Sequence, residues 1–126
     1  MMALEMGKSV FLVEDEALIR MMIVEMLEEL GHRVVAEAGS IKTAEPLAPT
    51  SEFDLAVFDI NIAGFNISPI AEIVAARSLP FVFVSGYGPA GRPVLFADRL
   101  ILRKPFLIEH FADMIDSAMG DKSPPV

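Results

Sequence analysis

The chain has 126 residues, a mass of 13.7 kDa, a formal net charge of −8 and a pI near 4.6. This length predicts one domain over residues 1–126, with a full hydrophobic core and no room for a second folded unit. The acidic balance argues against a nucleic-acid partner, because binding to phosphates requires clustered Lys and Arg. With no cysteine and only a five-residue apolar run before Glu14, we expect a soluble cytoplasmic protein that has no membrane partner.

The first half of the chain alternates short apolar runs with amphipathic segments. Ser9–Val13 and Arg33–Ala38 predict two strands. Between them, residues 16–30 predict a helix that ends at Gly31. Its apolar residues are expected to face the sheet: Ile19, Met22, Ile23, Met26, Leu27 and Leu30. Leu18 and Met21 should then point to solvent.

The next segments are shaped by proline and glycine. Residues 40–47 predict a short helix, which Pro46 and Pro49 should cut off. Leu55–Asp59 predicts a third strand. The loop at residues 60–67 contains Gly64 and little else to order it. Ser68, followed by Pro69, predicts the N-cap of a helix that extends through residue 77.

The last third of the chain predicts two more strands, at residues 81–84 and 100–102. The intervening residues 87–98 should form a short, distorted or mobile element, because four glycines and prolines would break a helix there. Residues 107–119 predict a final helix with Phe111, Met114, Ile115 and Met119 facing inward. The folded core then spans residues 8–119, and residues 121–126 form a frayed tail.

The apolar strands do not alternate with polar residues, which is typical of a parallel sheet covered on both faces. Strands and helices also alternate along the chain. The sequence therefore predicts an α/β fold with a doubly wound, five-stranded parallel sheet and helices on both faces.

Polar residues stand at or just after the ends of four predicted strands: Glu14 with Asp15, Asp59, Ser85 and Lys104. In an open parallel sheet these ends line one crevice, where ligands bind. Carboxylates brought together repel one another unless a cation or protons neutralise them. Oxygen ligands of this kind suit Mg²⁺. The pattern predicts a phosphoryl-transfer site.

These motifs give the chain a resemblance to the bacterial response-regulator receiver domain over residues 8–119. They are Glu14-Asp15, Asp59 with Asn61 two residues later, Ser85-Gly86 and Lys104-Pro105. The resemblance implies a flavodoxin-like strand order of 2-1-3-4-5 and a phosphoprotein of a two-component phosphorelay. It also implies a sensor histidine kinase or a phosphotransfer protein as the phosphoryl donor.

The resemblance further assigns roles to single residues. Asp59 would accept the phosphoryl group. Asp15, Asp59, the backbone carbonyl of Asn61 and, through water, Glu14 would hold Mg²⁺.

Three other residues would serve the transferred group. Lys104 would pair with Asp59 and then with the phosphoryl oxygens, and a cis peptide bond to Pro105 would aim it into the site. Ser85 would donate its hydroxyl to the phosphoryl group.

The sequence departs from the receiver pattern at two positions. Ile101 stands where receivers usually carry a switching Tyr or Phe, which leaves Tyr87 as the aromatic residue able to report on the site. Ala63 replaces a common proline, so the loop after Asp59 should be looser than most. Residues 83–87 are similar to those of stand-alone receivers of the alphaproteobacterial type.

The favoured function is a signalling domain, not an enzyme with an external substrate, that acts by protein contact or drains phosphate from a kinase. In receivers the kinase docks against the first helix, where Leu18 and Met21 would offer an apolar anchor. An unphosphorylated pseudo-receiver is the alternative. A phosphatase of the haloacid-dehalogenase type would need an acid at position 61, which is Asn61.

Overall fold

The structure is a computed structural model that describes residues 7–88 and 90–120. Its elements, in chain order, are β1 (Ser9–Val13), α1 (Ala17–Glu29), β2 (Arg33–Ala38), α2 (Ile41–Thr50), β3 (Leu55–Asp59), β4 (Asn61–Ile62), β5 (Phe65–Asn66), α3 (Ser68–Ala76), β6 (Phe81–Ser85), a 3₁₀ turn (Val94–Phe96), β7 (Ile101–Arg103) and α4 (Ile108–Met119). The main sheet has five strands in the order β2-β1-β3-β6-β7, and all neighbours are parallel. Because β4 and β5 form a separate hairpin, β6 and β7 are the fourth and fifth strands of the main sheet. The predicted fold class and the strand order 2-1-3-4-5 are therefore confirmed.

The three central strands β1, β3 and β6 are buried along their whole length. Side chains alternate between two faces, as the period of a strand requires. Phe11 and Val13 join a cluster with α2 and α3, whereas Val10 and Leu12 join a cluster with α1 and α4. Helices thus cover both faces, which explains why these strands are continuously apolar.

Helix α1 faces the sheet through a narrower stripe than the sequence suggested. Ile23 and Leu27 are buried, but Met22 is 52% exposed, so its predicted inward position is wrong. Met22 lies about 100° around the helix from Ile23. It therefore sits at the edge of the apolar stripe. Leu18 and Met21 are exposed, as predicted.

Helix α2 does not stop at its prolines, as the sequence analysis expected. It runs through Pro46 and Pro49 to Thr50. Both prolines lie on the exposed side, where water can bond the carbonyls that lose a donor. Ala44 and Ala48 are fully buried against the sheet, and this packing holds the helix together.

The loop after β3 is also more ordered than predicted. Its residues form the β4–β5 hairpin, in which Asn61 pairs with Asn66. Ala63 and Gly64 make the turn with φ of 53° and 91°. Positive φ at both central residues is the geometry of a type I′ hairpin turn.

The start of α3 differs from the prediction in one respect. Ser68 is the first helical residue and its side chain does not cap the helix. The Asn66 Oδ1 atom instead accepts the Ser68 N–H at 2.9 Å. Pro69 lies in the first turn, as expected, because its missing N–H would be unpaired there anyway.

In the described part of the glycine- and proline-rich segment before β7, the only helical element is the 3₁₀ turn Val94–Phe96, which confirms a short, distorted element. In α4, Phe111, Met114 and Ile115 are buried and Met119 packs against them, as predicted. The predicted tail at residues 121–126 lies outside the described residues. Within residues 7–88 and 90–120, no helix has the length and apolarity needed to cross a bilayer.

Candidate functional site

The predicted site residues meet at the C-terminal edge of the sheet. Asp59 and Ser85 are the last residues of β3 and β6, while Glu14 and Lys104 directly follow β1 and β7. Parallel register places all four strand ends side by side, and Asp59 pairs with Val84 of the neighbouring strand. Asp59, Ser85 and Lys104 line a cleft of about 1020 Å³, together with Asp15, Asn61, Tyr87 and Pro105. Glu14 is buried next to Asp15.

Glu14 is the most tightly held of these residues. Its side chain is fully buried. The Oε1 atom accepts from Lys104 Nζ at 2.9 Å, and Oε2 accepts from the Glu16 N–H at 3.1 Å. Both carboxylate oxygens thus have a protein donor, so Glu14 is fixed beside the cleft.

Lys104 bridges two of the carboxylates. Its Nζ lies 2.9 Å from Glu14 Oε1 and 3.3 Å from Asp59 Oδ2. The sequence analysis paired Lys104 with Asp59 but not with Glu14. The Lys104 N–H donates to the Ser85 carbonyl at 2.8 Å, and the Lys104–Pro105 bond is cis, as the resemblance implied.

Burial and pairing act on the pKa values of this pair. Burial raises the pKa of Glu14 to about 7, although the hydrogen bond from Lys104 opposes the shift, and the charge of Asp59 adds to it. Burial alone would lower the pKa of Lys104, but the Glu14 hydrogen bond and the Asp59 charge raise it above its ordinary value. Glu14 therefore responds to the charge of the whole cluster.

The three carboxylates fit a hard divalent cation. One oxygen of each of Glu14, Asp15 and Asp59 lies within 4.8 Å of the others. When all three are ionised, the single ammonium of Lys104 leaves two negative charges unbalanced. A divalent ion would balance that charge, and oxygen donors are the ligands that Mg²⁺ prefers.

The β4–β5 hairpin closes one side of the acidic cluster. The Ala63 N–H donates to Asp15 Oδ2 at 3.0 Å. Asn61 Oδ1 accepts the Gly64 N–H at 2.8 Å and stabilises the same turn. Sequence reasoning missed Ala63 as a contact of the site, because a donor in a turn leaves no mark in the sequence beyond the following glycine.

Ser85, Gly86 and Tyr87 also line the cleft. Ser85 is buried, and its Oγ accepts the Tyr87 N–H at 3.1 Å. Tyr87 itself is 73% exposed. Ile101 is half-buried and packs against the core cluster that contains Phe81 and Phe83.

An apolar wall adjoins these polar residues. It is formed by Ile19, Met22, Ile23 and Met26 of α1 and by Phe106. The cleft thus joins an acidic floor to an apolar side.

A doubly wound sheet with carboxylates and a lysine at its C-terminal edge defines a class of α/β domains with a binding crevice at that edge. The family model for the response regulator receiver domain matches residues 10–116. The chain therefore belongs to the receiver domain family.

Similar proteins come from several bacteria. The transcriptional regulatory protein PdtaR of Mycobacterium tuberculosis is 33% identical over 90% of this chain, which spans 57% of the length of that relative. The solution structure of SdrG from Sphingomonas melonis Fr1 is 33% identical, with a TM-score of 0.79, and the match covers 90% of this chain and 96% of that one.

The anti-anti-sigma factor PhyR of Bartonella quintana is 27% identical, with a TM-score of 0.77 over 92% of this chain and 49% of that one. The predicted likeness to alphaproteobacterial receivers is confirmed by the SdrG and PhyR matches.

Proposed function

We propose that the chain is a phosphoacceptor receiver of a two-component system, in which Asp59 takes a phosphoryl group from a histidine kinase or a phosphotransfer protein. The observation that carries the proposal is the setting of Asp59. Asp59 is the last residue of β3 and lines the cleft. Its carboxylate belongs to a cluster of three carboxylates and lies 3.3 Å from the Lys104 ammonium.

The transfer requires one bond to form and one to break. An Asp59 carboxylate oxygen attacks the phosphorus of a phosphohistidine, the new O–P bond forms, and the N–P bond breaks. The departing imidazole nitrogen keeps the electron pair and takes a proton from solvent. The product on this chain is an acyl phosphate.

Two side chains are placed to stabilise the transferred group. Lys104 contacts Asp59, and after the transfer its ammonium can pair with the negatively charged phosphoryl oxygens. Ser85 Oγ accepts from the Tyr87 N–H, which leaves the Ser85 proton for donation to a phosphoryl oxygen. In this proposal Tyr87 and Ile101 are accessory positions: the Tyr87 N–H bonds Ser85, and Ile101 pairs with Phe83 of the strand that Ser85 ends.

Asp15, Asp59 and the Asn61 carbonyl would hold Mg²⁺ directly. Glu14 would act through water, since both of its oxygens already accept protein hydrogen bonds. Mg²⁺, when bound, supplies positive charge for the oxygens of the transferred group. Few protein ligands and several retained waters predict weak binding before phosphorylation.

The output would be protein contact or drainage of phosphate from a kinase, in the cytoplasm. Leu18 and Met21 on α1 are 73% and 58% exposed beside the cleft-lining Met22. We assign this side of α1 to the docking of the kinase or phosphotransfer protein.

The test is incubation with a small phosphodonor, with and without Mg²⁺, followed by intact-mass measurement. One added phosphate that depends on Mg²⁺ supports the proposal. The Asp15→Asn variant should take up none. No phosphate on the unsubstituted chain would favour the pseudo-receiver, and repeated turnover of a phosphate ester would favour a phosphatase.

A further inference from the structure

Arg20 occupies an unfavourable position for a cation. It lies in the first turns of α1, whose N-terminal end carries partial positive charge. Its side chain is nevertheless mostly buried, at 24% exposure. Such a placement requires local acceptors that offset the unfavourable field.

Two acceptors hold the Arg20 guanidinium. Nη1 donates to the backbone carbonyl of Glu14 at 2.6 Å. Nε lies 3.4 Å from Glu37 Oε1, at the surface. The bond to the carbonyl is short and charge-assisted, so it is the stronger of the two contacts.

The Glu14 carbonyl stands between two regular elements. Glu14 follows the last residue of β1. The first hydrogen bond of α1 is accepted by the Glu16 carbonyl, from the Arg20 N–H, and not by the Glu14 carbonyl. The donor to this carbonyl among the described residues is Arg20.

With that bond, Glu14 is held at four atoms. Its N–H donates to the Ala38 carbonyl at 3.1 Å, and its two side-chain oxygens bind Lys104 and Glu16. Asp15 is the next residue, so the peptide that Arg20 clamps also sets where the Asp15 carboxylate enters the cleft.

Gly39 makes room for the clamp. A Cβ atom at this position would lie 2.9 Å from Arg20 Nη1, which is closer than real contacts allow. The φ of Gly39 is not in the left-handed region, so an alanine is not excluded by its backbone. The conflict would be with the end of a flexible side chain, and the guanidinium would move.

We propose that Arg20 is a positioning residue for the metal-binding carboxylates and that Gly39 is a glycine in order to leave space for its guanidinium. This inference rests on the proposed function, because it concerns the same Mg²⁺ site. Arg20 acts through the Glu14–Asp15 peptide and has no contact with the transferred group.

The test is a titration with Mg²⁺ alone, followed through the backbone amide signals of ¹⁵N-labelled protein. Arg20→Met keeps the aliphatic stem and removes the donors. It should raise the Kd for Mg²⁺ about 10-fold, the lower end of what loss of an outer-shell contact costs. Glu37→Gln is the matched control: it removes the surface ion pair, keeps the clamp, and should leave the Kd within about 2-fold.

Gly39→Ala separates positioning from simple stabilisation. It should weaken Mg²⁺ binding in the same direction as Arg20→Met, although residue 39 lies outside the cleft lining. The double variant should bind no more weakly than Arg20→Met, since both changes remove the same contact. Saturating Mg²⁺ should restore the phosphorylation rate of Arg20→Met.

Three results would contradict the account in different ways. No Mg²⁺ binding by the unsubstituted chain would overturn the proposed function. Normal Mg²⁺ affinity in Arg20→Met, with only a lower melting temperature, would show a structural role and overturn the positioning role alone. Additive losses in the double variant would overturn the assignment of Gly39.

Discussion

At the scale of single residues, the site holds carboxylates that repel one another and one ammonium, that of Lys104, which offsets part of their charge. Glu14 has no exposure, and Asp59 is 7% exposed. Lys104 contacts both. Like charges in a site of low exposure raise the free energy of the metal-free fold, while the same charges prepare it for a cation.

This balance makes stability depend on pH in a defined direction. The pKa of Glu14 is about 7 in the fold, because of burial, and 4.5 ordinarily. Between these values the folded chain binds more protons than the unfolded chain. The stabilising contribution of Glu14 to the free energy of unfolding is therefore complete below pH 4.5 and is lost as the pH rises through about 7.

Denaturant unfolding with a chelator present measures this effect. The unfolding free energy of the unsubstituted chain, relative to that of Glu14→Gln, should fall across that window. Glu14→Gln is the control because it cannot titrate at this position. Parallel pH profiles of the two proteins would contradict the buried, proton-binding state of Glu14.

Removal of the Asp59 charge should stabilise the metal-free protein. Asp59→Asn keeps an oxygen for Lys104 and relieves the repulsion with Glu14 and Asp15. We expect a gain of about 1 kcal/mol, or roughly 3–6 °C in melting temperature, together with loss of phosphate uptake. Calorimetry in chelator checks this, and a clear fall in melting temperature would mean that Asp59 chiefly makes structural hydrogen bonds.

At the scale of elements, local sequence signals predicted the strands well and the irregular segments less well. The apolar runs that became β1, β3 and β6 are unambiguous, because each is bounded by polar residues and buried on both faces. The polar residues at their ends could be predicted for the same reason.

The errors arose where tertiary packing overrides local propensity. The prolines of α2 were expected to end it, but burial of Ala44 and Ala48 outweighs two lost hydrogen bonds. The hairpin after β3 depends on a non-glycine residue, Ala63, with positive φ, which no propensity scale favours. Contacts from Arg20 and Ala63 to the site could not be predicted, because their partners are backbone atoms or distant in sequence.

At the scale of elements, we make a prediction about the mobility of the segment between β6 and β7. Its far end is held by Phe96, which is 8% exposed, and by Arg99 over the Phe81 ring at 4.2 Å. Its near end has mainly the Ser85–Tyr87 contact and a bond from Asn66 to the Gly91 carbonyl. We expect residues 86–88 and 90–93 to be the mobile part, because few contacts hold them. Since Ile101 cannot swing as a tyrosine could, the response of Ser85 would pass to these residues.

Hydrogen exchange across residues 86–99, with and without beryllofluoride, tests this expectation. Protection should be low in the free protein and should rise on activation, most strongly before residue 94, as Ser85 is drawn towards Asp59. Residues 81–84 in the buried strand serve as an internal control. Protection that is high already and unchanged by activation would instead assign signalling to α1 and α4.

At the scale of the whole molecule, the sheet brings together groups that are far apart in the sequence. Glu14 and Lys104 are 90 residues apart, yet their side chains are in direct contact. The parallel register brings the C-terminal ends of the strands to one edge, helices cover both faces, and the cleft lies at that edge. The family, the fold and the acidic cleft together support phosphoryl transfer as the function of that edge.

The most direct test of this account is chemical localisation of the phosphate. After reaction with a small phosphodonor and Mg²⁺, borohydride would reduce an acyl phosphate to the alcohol, and peptide mass spectrometry would find the resulting homoserine. Asp54→Asn is the matched control, because Asp54 bonds Ser9 at the start of β1, the opposite end of that strand from the cleft. Homoserine at position 59, unaffected by Asp54→Asn, is the predicted result. Homoserine at another carboxylate, or at none, would contradict the account.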